Sequence, residues 1–297
     1  MFLVFAVQAL FGIATILNKQ LLFYTSPFIL TPGRLFLSGG LWLGYLWYRD
    51  NITSHVKTKK NIVYIFILCS LFYFYHVLKY WALQHMSPTK MSLLITTSPC
   101  ITSLLSSHFT QKKFRTIQWM MILLALIGSI NILLLSSPEE VNIIALSHIS
   151  WAEIAVTLSI IIYSIYILFF EFLVKKYNYS SSLLYTTNMF TGGTFGIIPL
   201  FITKENIYIN NPYNFFILFF ILILISNIIS SPLYYLMLKK HSASLLTLSD
   251  CLGPLFVTFY SYLFFGDIIS FSYLLSGLLI IIGTGGFYYY DCSKYSE

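Results

Sequence analysis

Two charged side chains lie deep inside apolar runs of this 297-residue chain. At about 1.5 Å per helical residue, Arg34 sits roughly 11 Å from one end of its run and Asp250 roughly 12 Å from one end of its own. An ionisable group so placed costs several kcal/mol unless it is paired or wetted, which makes each a candidate for function. His76 and Lys79 are three residues apart and share one helical face, with Tyr80 beside them. Lys79 is near enough to the end of its run to snorkel to the interface. Asn188 interrupts a later apolar run, where an amide serves either a ligand or helix-helix cohesion. The chemistry these residue types suit is binding. A guanidinium fork takes carboxylate or phosphate bidentately and stays charged at physiological pH. Asp250 would either pair with Arg34 or carry a proton as the coupling ion. Glu153 and Glu171 fall near run ends, where solvation explains them.

Covalent and metal chemistry have no such foothold. No HExxH, GxSxG or paired-aspartate motif occurs, and the six histidines are scattered. Cys69, Cys100, Cys251 and Cys292 show neither CxxC nor CxxH spacing, so neither a metal site nor a disulfide framework is expected. No Walker A sequence is present, no cofactor is implied, and no basic extramembrane patch suits nucleic acid.

The elements that position these residues follow from composition. Hydrophobic residues make up 58% of the chain and charged residues only 9%. A water-soluble domain carries about a quarter charged residues, so lipid must cover this surface. Apolar runs of spanning length fall at 2–17, 27–48, 62–83, 88–109 and 117–135, and again at 151–174, 180–202, 215–238, 242–265 and 270–290. Between the fives lies the polar break Ser136, Ser137, Pro138, Glu139, Glu140. Backbone groups in lipid must be satisfied within the segment, which makes each run a helix. The expected fold is an all-α membrane protein of ten transmembrane helices. The first run is read as a retained span, since it lacks a basic leader and a cleavage signal.

Cations sort by connection. Arg49, Lys57, Lys59, Lys60, Lys112, Lys113, Arg115, Lys175, Lys176, Lys239, Lys240 and Lys294 all fall on one side, against Lys19, Lys90 and Lys204 on the other. Excess Lys and Arg mark cytoplasmic loops, so both termini are expected in the cytoplasm of a cell (inner or plasma) membrane protein.

Sliding the chain on itself by 155 residues brings Tyr80 onto Tyr235, Pro99 onto Pro254, Phe109 onto Phe264 and Gly128 onto Gly283. Asn188 falls near the position related to Arg34. Five helices per half, an odd number, make the halves enter the membrane from opposite sides. The units are 1–136 and 151–297, joined by an extracytoplasmic linker at 137–150. Inverted repeats favour alternating access around a site near the midplane. Pro99 and Pro254 each remove a backbone donor and should kink their helices, which are expected to line the cavity and flex during gating.

These residues resemble the drug/metabolite transporter superfamily, and within it the ten-helix transporters with two EamA-type domains. The family pattern is Tyr-x-Ala-Leu, a proline in the next helix, Gly-Glu at its end, and glycines in the last. The first half reads Tyr80, Trp81, Ala82, Leu83, then Pro99, Gln111, Lys112 and Gly128; the second reads Tyr235, Leu236, Met237, Leu238, Pro254, Gly266, Asp267, Gly277 and Gly283. Arg34 behind Pro32 also matches. The first half lacks the acidic residue at Lys112. The resemblance implies a secondary transporter of small organic solutes, with membrane lipid and a small-molecule substrate as partners, working as a monomer or a homodimer. From the residues, the solute is an anionic metabolite bound by Arg34 with His76 and Lys79 behind it. The alternative is a cationic or sulfonium solute countered by Asp250 among aromatic rings. Outside transport, an intramembrane enzyme or a scaffold would fit.

Overall fold

A computed structural model describes residues 2–49, 59–86, 88–109, 114–136, 150–203, 208–265 and 271–293. All of the expected linker at 137–150 except Ser150, the loop cations Lys57, Lys112, Lys113, Lys204 and Lys294, and Gln111, Gly266 and Asp267 lie outside the described residues. Among the described residues every regular element is a helix. In chain order these are α1 (Phe2–Leu21), α2 (Pro27–Tyr48), α3 (Lys59–His85), α4 (Pro88–Ile95), α5 (Ser98–Phe109), α6 (Thr116–Ser136), α7 (Trp151–Lys176), α8 (Ser181–Thr203) and α9 (Pro212–Leu222). A π-helical segment (Ile223–Ser230), α10 (Ser231–Met237), α11 (Ala243–Ser249), a 3-10 turn (Asp250–Leu252), α12 (Gly253–Phe265) and α13 (Phe271–Ser293) follow. Five stretches within the described residues are long and apolar enough to cross a membrane: Phe2–Leu21, Val63–His85, Trp151–Lys176, Pro212–Met237 and Ala243–Tyr260. Thr116–Gly128 and Leu275–Tyr290 are shorter apolar helices.

Several helices start where their sequences dictate. Ser150 and Glu153 form a reciprocal capping box at α7, and the Ser242 side chain caps α11. Proline opens α2 and α9, where its missing N–H costs nothing. Burial is inside out relative to a soluble protein. Leu41, Phe66, Ile127, Phe220 and Ile282 stand exposed, while Ser103, Ser164, Asn188, Asn227 and Thr247 are wholly buried. Hydrocarbon is as apolar as leucine, so helix association here depends on close packing and interhelical hydrogen bonds.

Three of the runs read as single helices are interrupted, each beside a proline. Residues 88–109 divide at Thr96 and Thr97, just before Pro99. Residues 243–265 divide at the 3-10 turn before Pro254. Pro254 has no N–H for the Asp250 carbonyl, and Gly253 N–H takes that carbonyl instead, tightening the turn. The related positions 99 and 254 thus give a break, stronger than the expected kink. The third interruption went unforeseen. Pro232 cannot bond back to Ile228, the helix widens, and Ser231 N–H reaches the Ser226 carbonyl. The Asn227 carbonyl that this slips past is taken up by the Tyr185 hydroxyl at 2.6 Å and the Trp42 indole at 3.2 Å.

Two helix crossings carry a twofold pattern. Cβ atoms added at Gly39 and Gly193 would fall 2.4 Å from the backbone nitrogens of Phe190 and Phe36 respectively, and those two rings stack at 5.1 Å. At the other crossing Gly128 meets the Ser276 carbonyl and Ile280, while Gly283 meets the Met121 carbonyl and Ala125. Residues 121, 125 and 128 become 276, 280 and 283 on adding 155, so each contact is returned by its counterpart. Partner numbers fall as residue numbers rise, which makes α2 antiparallel to α8 and α6 antiparallel to α13. Reciprocal contacts between antiparallel helices require a local twofold axis perpendicular to them.

Candidate functional site

Helix α1 carries a polar stripe at helical spacing, Gln8, Gly12, Thr15 and Asn18, along one face of an otherwise apolar run. That face lines a cavity of about 130 Å³, enclosed also by α2, α3, α4, α7, α8, the π segment, α10 and the interrupted helix at Asp250. At about 30 Å³ per water in the liquid, it has room for roughly four waters or a ligand about the size of benzene.

Arg34 lies at one end of the cavity and is only 2% exposed. Its Nη1 donates to Asn18 Oδ1 at 3.0 Å, its Nη2 donates to the Tyr80 hydroxyl, and its guanidinium carbon lies 4.8 Å from the Tyr80 ring centre. Among the described residues its Nε has no hydrogen-bond partner. The charge is therefore held by two neutral oxygens and a π face, with one donor to spare. His76 stacks on Tyr80 at 5.7 Å and meets Phe72 edge-on at 4.4 Å. Its Nδ1 is likewise buried without a partner among the described residues. Lys79 donates to the Tyr75 hydroxyl at 3.2 Å and faces the cavity, so it does not snorkel away.

Asp250 occupies the 3-10 turn, where the broken helix leaves its carboxylate facing the cavity. Gln8 Nε2 donates to Asp250 Oδ1 at 2.9 Å and approaches Ser249 Oγ at 2.8 Å. Gln8 and Asn18, which engage Asp250 and Arg34, are ten residues apart on α1, or about 15 Å along its axis. The cavity thus has a cationic pole and an anionic pole. Among the described residues the sole ion pair within 4.0 Å is Lys175 with Glu171, so Arg34 and Asp250 do not neutralise each other. Between the poles stand tyrosines: Tyr75 stacks obliquely on Tyr163 at 4.8 Å, and Tyr163 and Tyr234 share a hydroxyl hydrogen bond of 2.8 Å.

Arg34, His76, Lys79, Tyr80 and Asp250 therefore meet in one cavity. Asn188 does not line it. Its Nδ2 donates to the Tyr166 hydroxyl at 3.2 Å, and Cys69 Sγ donates to its Oδ1 at 3.2 Å. Pro99 and Pro254 are also outside the lining, although each follows a lining residue, Ser98 and Gly253. Gln8 and Asn18 are site residues that the sequence analysis did not name; the polar stripe on α1 is the signal that marks them. No cluster of three or more His, Cys, Asp or Glu side chains able to hold a metal occurs among the described residues.

Comparison with known proteins agrees with this architecture. No curated protein matches the chain in sequence. Among solved chains, 29 match, including a crystal structure described only as that of a protein. It is 14% identical, with a TM-score of 0.71 over 98% of this chain and 96% of the other, which is a likeness of fold. The model of the EamA-like transporter family matches residues 1–134 and again 150–289. Two copies of one family pattern over nearly the whole length, enclosing a cavity with buried charges in a lipid-facing helical shell, leave one conclusion: this chain belongs to the EamA-like transporter family.

Proposed function

We propose that the protein is a secondary carrier that moves small organic solutes across the cell membrane by alternating access, and that Arg34 binds an anionic group of the solute. Ten crossings in two inverted five-helix repeats, 1–136 and 151–297, would place both termini in the cytoplasm, with 137–150 on the opposite side. The antiparallel, reciprocal contacts at Gly39, Gly193, Gly128 and Gly283 support inversion. The observation that carries the binding assignment is a buried guanidinium held, among the described residues, by neutral partners alone and lining a cavity. A charge held in this way gains most from an anion arriving to complete its fork. His76 and Lys79 add donors around it, and Tyr80 fixes its plane. Asn188 is assigned to the related structural position, where an amide ties helices together.

Asp250 forms no ion pair within 4.0 Å among the described residues, and this favours a second reading in which it balances a cationic solute between Tyr163 and Tyr234. Purified protein warmed with a panel of acidic, basic and zwitterionic metabolites separates the two, because a ligand bound to the folded state raises Tm. Stabilisation by acids that disappears in Arg34→Gln supports the first assignment; stabilisation by amines that disappears in Asp250→Asn supports the second. No response to either class, and no solute uptake by proteoliposomes, would return the enzyme or scaffold alternative.

Asp250→Asn keeps an acceptor for Gln8 and removes the charge. Uptake is expected to fall about tenfold at an unchanged melting temperature, since hydrogen bonds to charged groups are worth about 1.5–3 kcal/mol. Equal uptake by mutant and parent protein would take Asp250 out of the transport step. Helices broken before Pro99 and Pro254 are natural hinges for gating. Cysteines introduced across α5 and α12 should crosslink at rates that change on adding solute; constant rates would leave the prolines a packing role only.

A further inference from the structure

Two lysines outside the cavity make related contacts in the two halves. Lys19, in the last turn of α1, donates from Nζ to the carbonyls of Leu83, Gln84 and Met86 at 2.8, 3.2 and 3.0 Å. Lys175, in the last turn of α7, donates from Nζ to the carbonyl of His241 at 3.0 Å. Met86 and His241 are 155 residues apart, the repeat offset, and Lys19 and Lys175 are 156 apart. In each half, the end of the opening helix grips the junction between the third and fourth apolar runs.

The grips are on opposite faces. Since α2 and α8 are antiparallel, and links 22–26 and 177–180 are too short to return along a helix of about 30 Å, α1 and α7 are antiparallel too. Lys19 therefore closes the face opposite the N-terminus, and Lys175 closes the N-terminal face. The Lys19 ammonium sits where α3 ends with unsatisfied carbonyls and negative partial charge, whereas Lys175 bonds the carbonyl of the residue just before the Ser242 cap of α11. The contacts join the helix that lines the cavity to the hairpin whose second arm is broken at the cavity floor.

The two grips differ in the groups they use. Lys175 also pairs with Glu171 Oε1 at 2.9 Å, and Glu171 Oε2 accepts from the backbone N–H of Ala243, the first residue of α11, at 3.1 Å. The position 156 residues before Glu171 is Thr15, whose hydroxyl bonds only within its own helix, to Phe11. We propose that Lys19 and Lys175 are face-specific latches of the transport cycle, each of which must release for the cavity to open on its own side. The assignment rests on the alternating-access reading above. It makes the lysines positioning residues that never touch the solute.

The test is cavity accessibility from each face. A single reporter, Ser231→Cys, is placed in a protein whose four native cysteines are replaced, and sealed vesicles of known orientation are treated with a membrane-impermeant maleimide on one side at a time. Lys19→Met should raise labelling from the face opposite the N-terminus by at least about tenfold, the effect of losing even one of its three charge-assisted contacts. Lys175→Met should raise labelling from the N-terminal face, and the double variant should return toward the parental ratio. Lys19→Arg, which keeps a donor, should label as the parent does; Lys19→Gln and Lys175→Gln replace the methionine variants if those do not fold. Lower melting temperatures with no change in the side of labelling would make the lysines helix caps and end the proposal. Parental protein that labels from one face only, with or without solute, would instead overturn alternating access, and the latches with it.

Discussion

Arg34→Ala is expected to reduce solute uptake at least about a hundredfold at equal protein levels in the membrane. The guanidinium holds Asn18 and Tyr80 with two donors and retains a third, and it alone among the cavity's cations is buried to 2% exposure. Two charge-assisted bonds lost to a ligand amount to about 3–6 kcal/mol, and each 1.4 kcal/mol is tenfold. Truncation also strands the Asn18 carbonyl oxygen, so part of any loss could be structural. Arg34→Lys separates the effects. An ammonium preserves the charge but cannot span Asn18, Tyr80 and a ligand in one plane. Uptake by Arg34→Lys should fall about tenfold while its melting temperature stays close to the parent's. Parental uptake by both variants, measured in proteoliposomes over the linear phase, would remove Arg34 from solute binding.

The site was legible in the sequence to the extent that charge in lipid demands an explanation. Arg34, His76, Lys79, Tyr80 and Asp250 stood out on that ground, and they share one cavity. Gln8 and Asn18 did not stand out, because an amide in an apolar run is a modest cost and neither falls near a buried charge at the repeat offset, as Asn188 does. Only the three-dimensional arrangement shows that each holds one of the two buried charges. Lys19 misled for the opposite reason. It looked like a loop cation, yet α1 runs through it to Leu21 and turns it onto the end of α3. A terminal lysine looks the same in sequence whether it meets water or backbone carbonyls.

The fold was legible wherever a residue acts through its own backbone. Proline at 99 and 254 foretold disruption at related places, although the result is a break and not a bend. Pro232 obeys the same rule but has no counterpart at the offset, where Val77 stands. The offset itself came from Tyr80 with Tyr235 and Gly128 with Gly283. Its meaning is visible at the α6 and α13 crossing, where both glycines give way to backbone from the other helix. Sequence shows that two positions are alike; it does not show that they touch.

That contact makes the second large prediction, which concerns folding. In Gly39→Ala the new Cβ would lie 2.4 Å from the nitrogen and 2.6 Å from the Cα of Phe190. Backbone cannot swing aside as a side chain can, so α2 and α8 must separate and the stacking of Phe36 on Phe190 is lost with them. Overpacking costs typically 1–3 kcal/mol, and a backbone clash belongs at or above the upper end, about 3 kcal/mol. Gly39→Ala should therefore yield little monodisperse protein and a lowered Tm. Its neighbour provides the control. Nothing lies within 4 Å of a Cβ at Gly40 or Gly44, and alanine there should be neutral or slightly stabilising through helix propensity. Pairs of substitutions then test the twofold arrangement. Gly193 closes the same crossing as Gly39, so once the first alanine has parted the helices, Gly193→Ala should cost less than it does alone. Gly283 belongs to the separate α6 and α13 crossing, where Gly39→Ala and Gly283→Ala should add. Additive losses for the first pair, or a parental melting temperature for Gly39→Ala, would mean that α2 and α8 do not cross where these glycines put them.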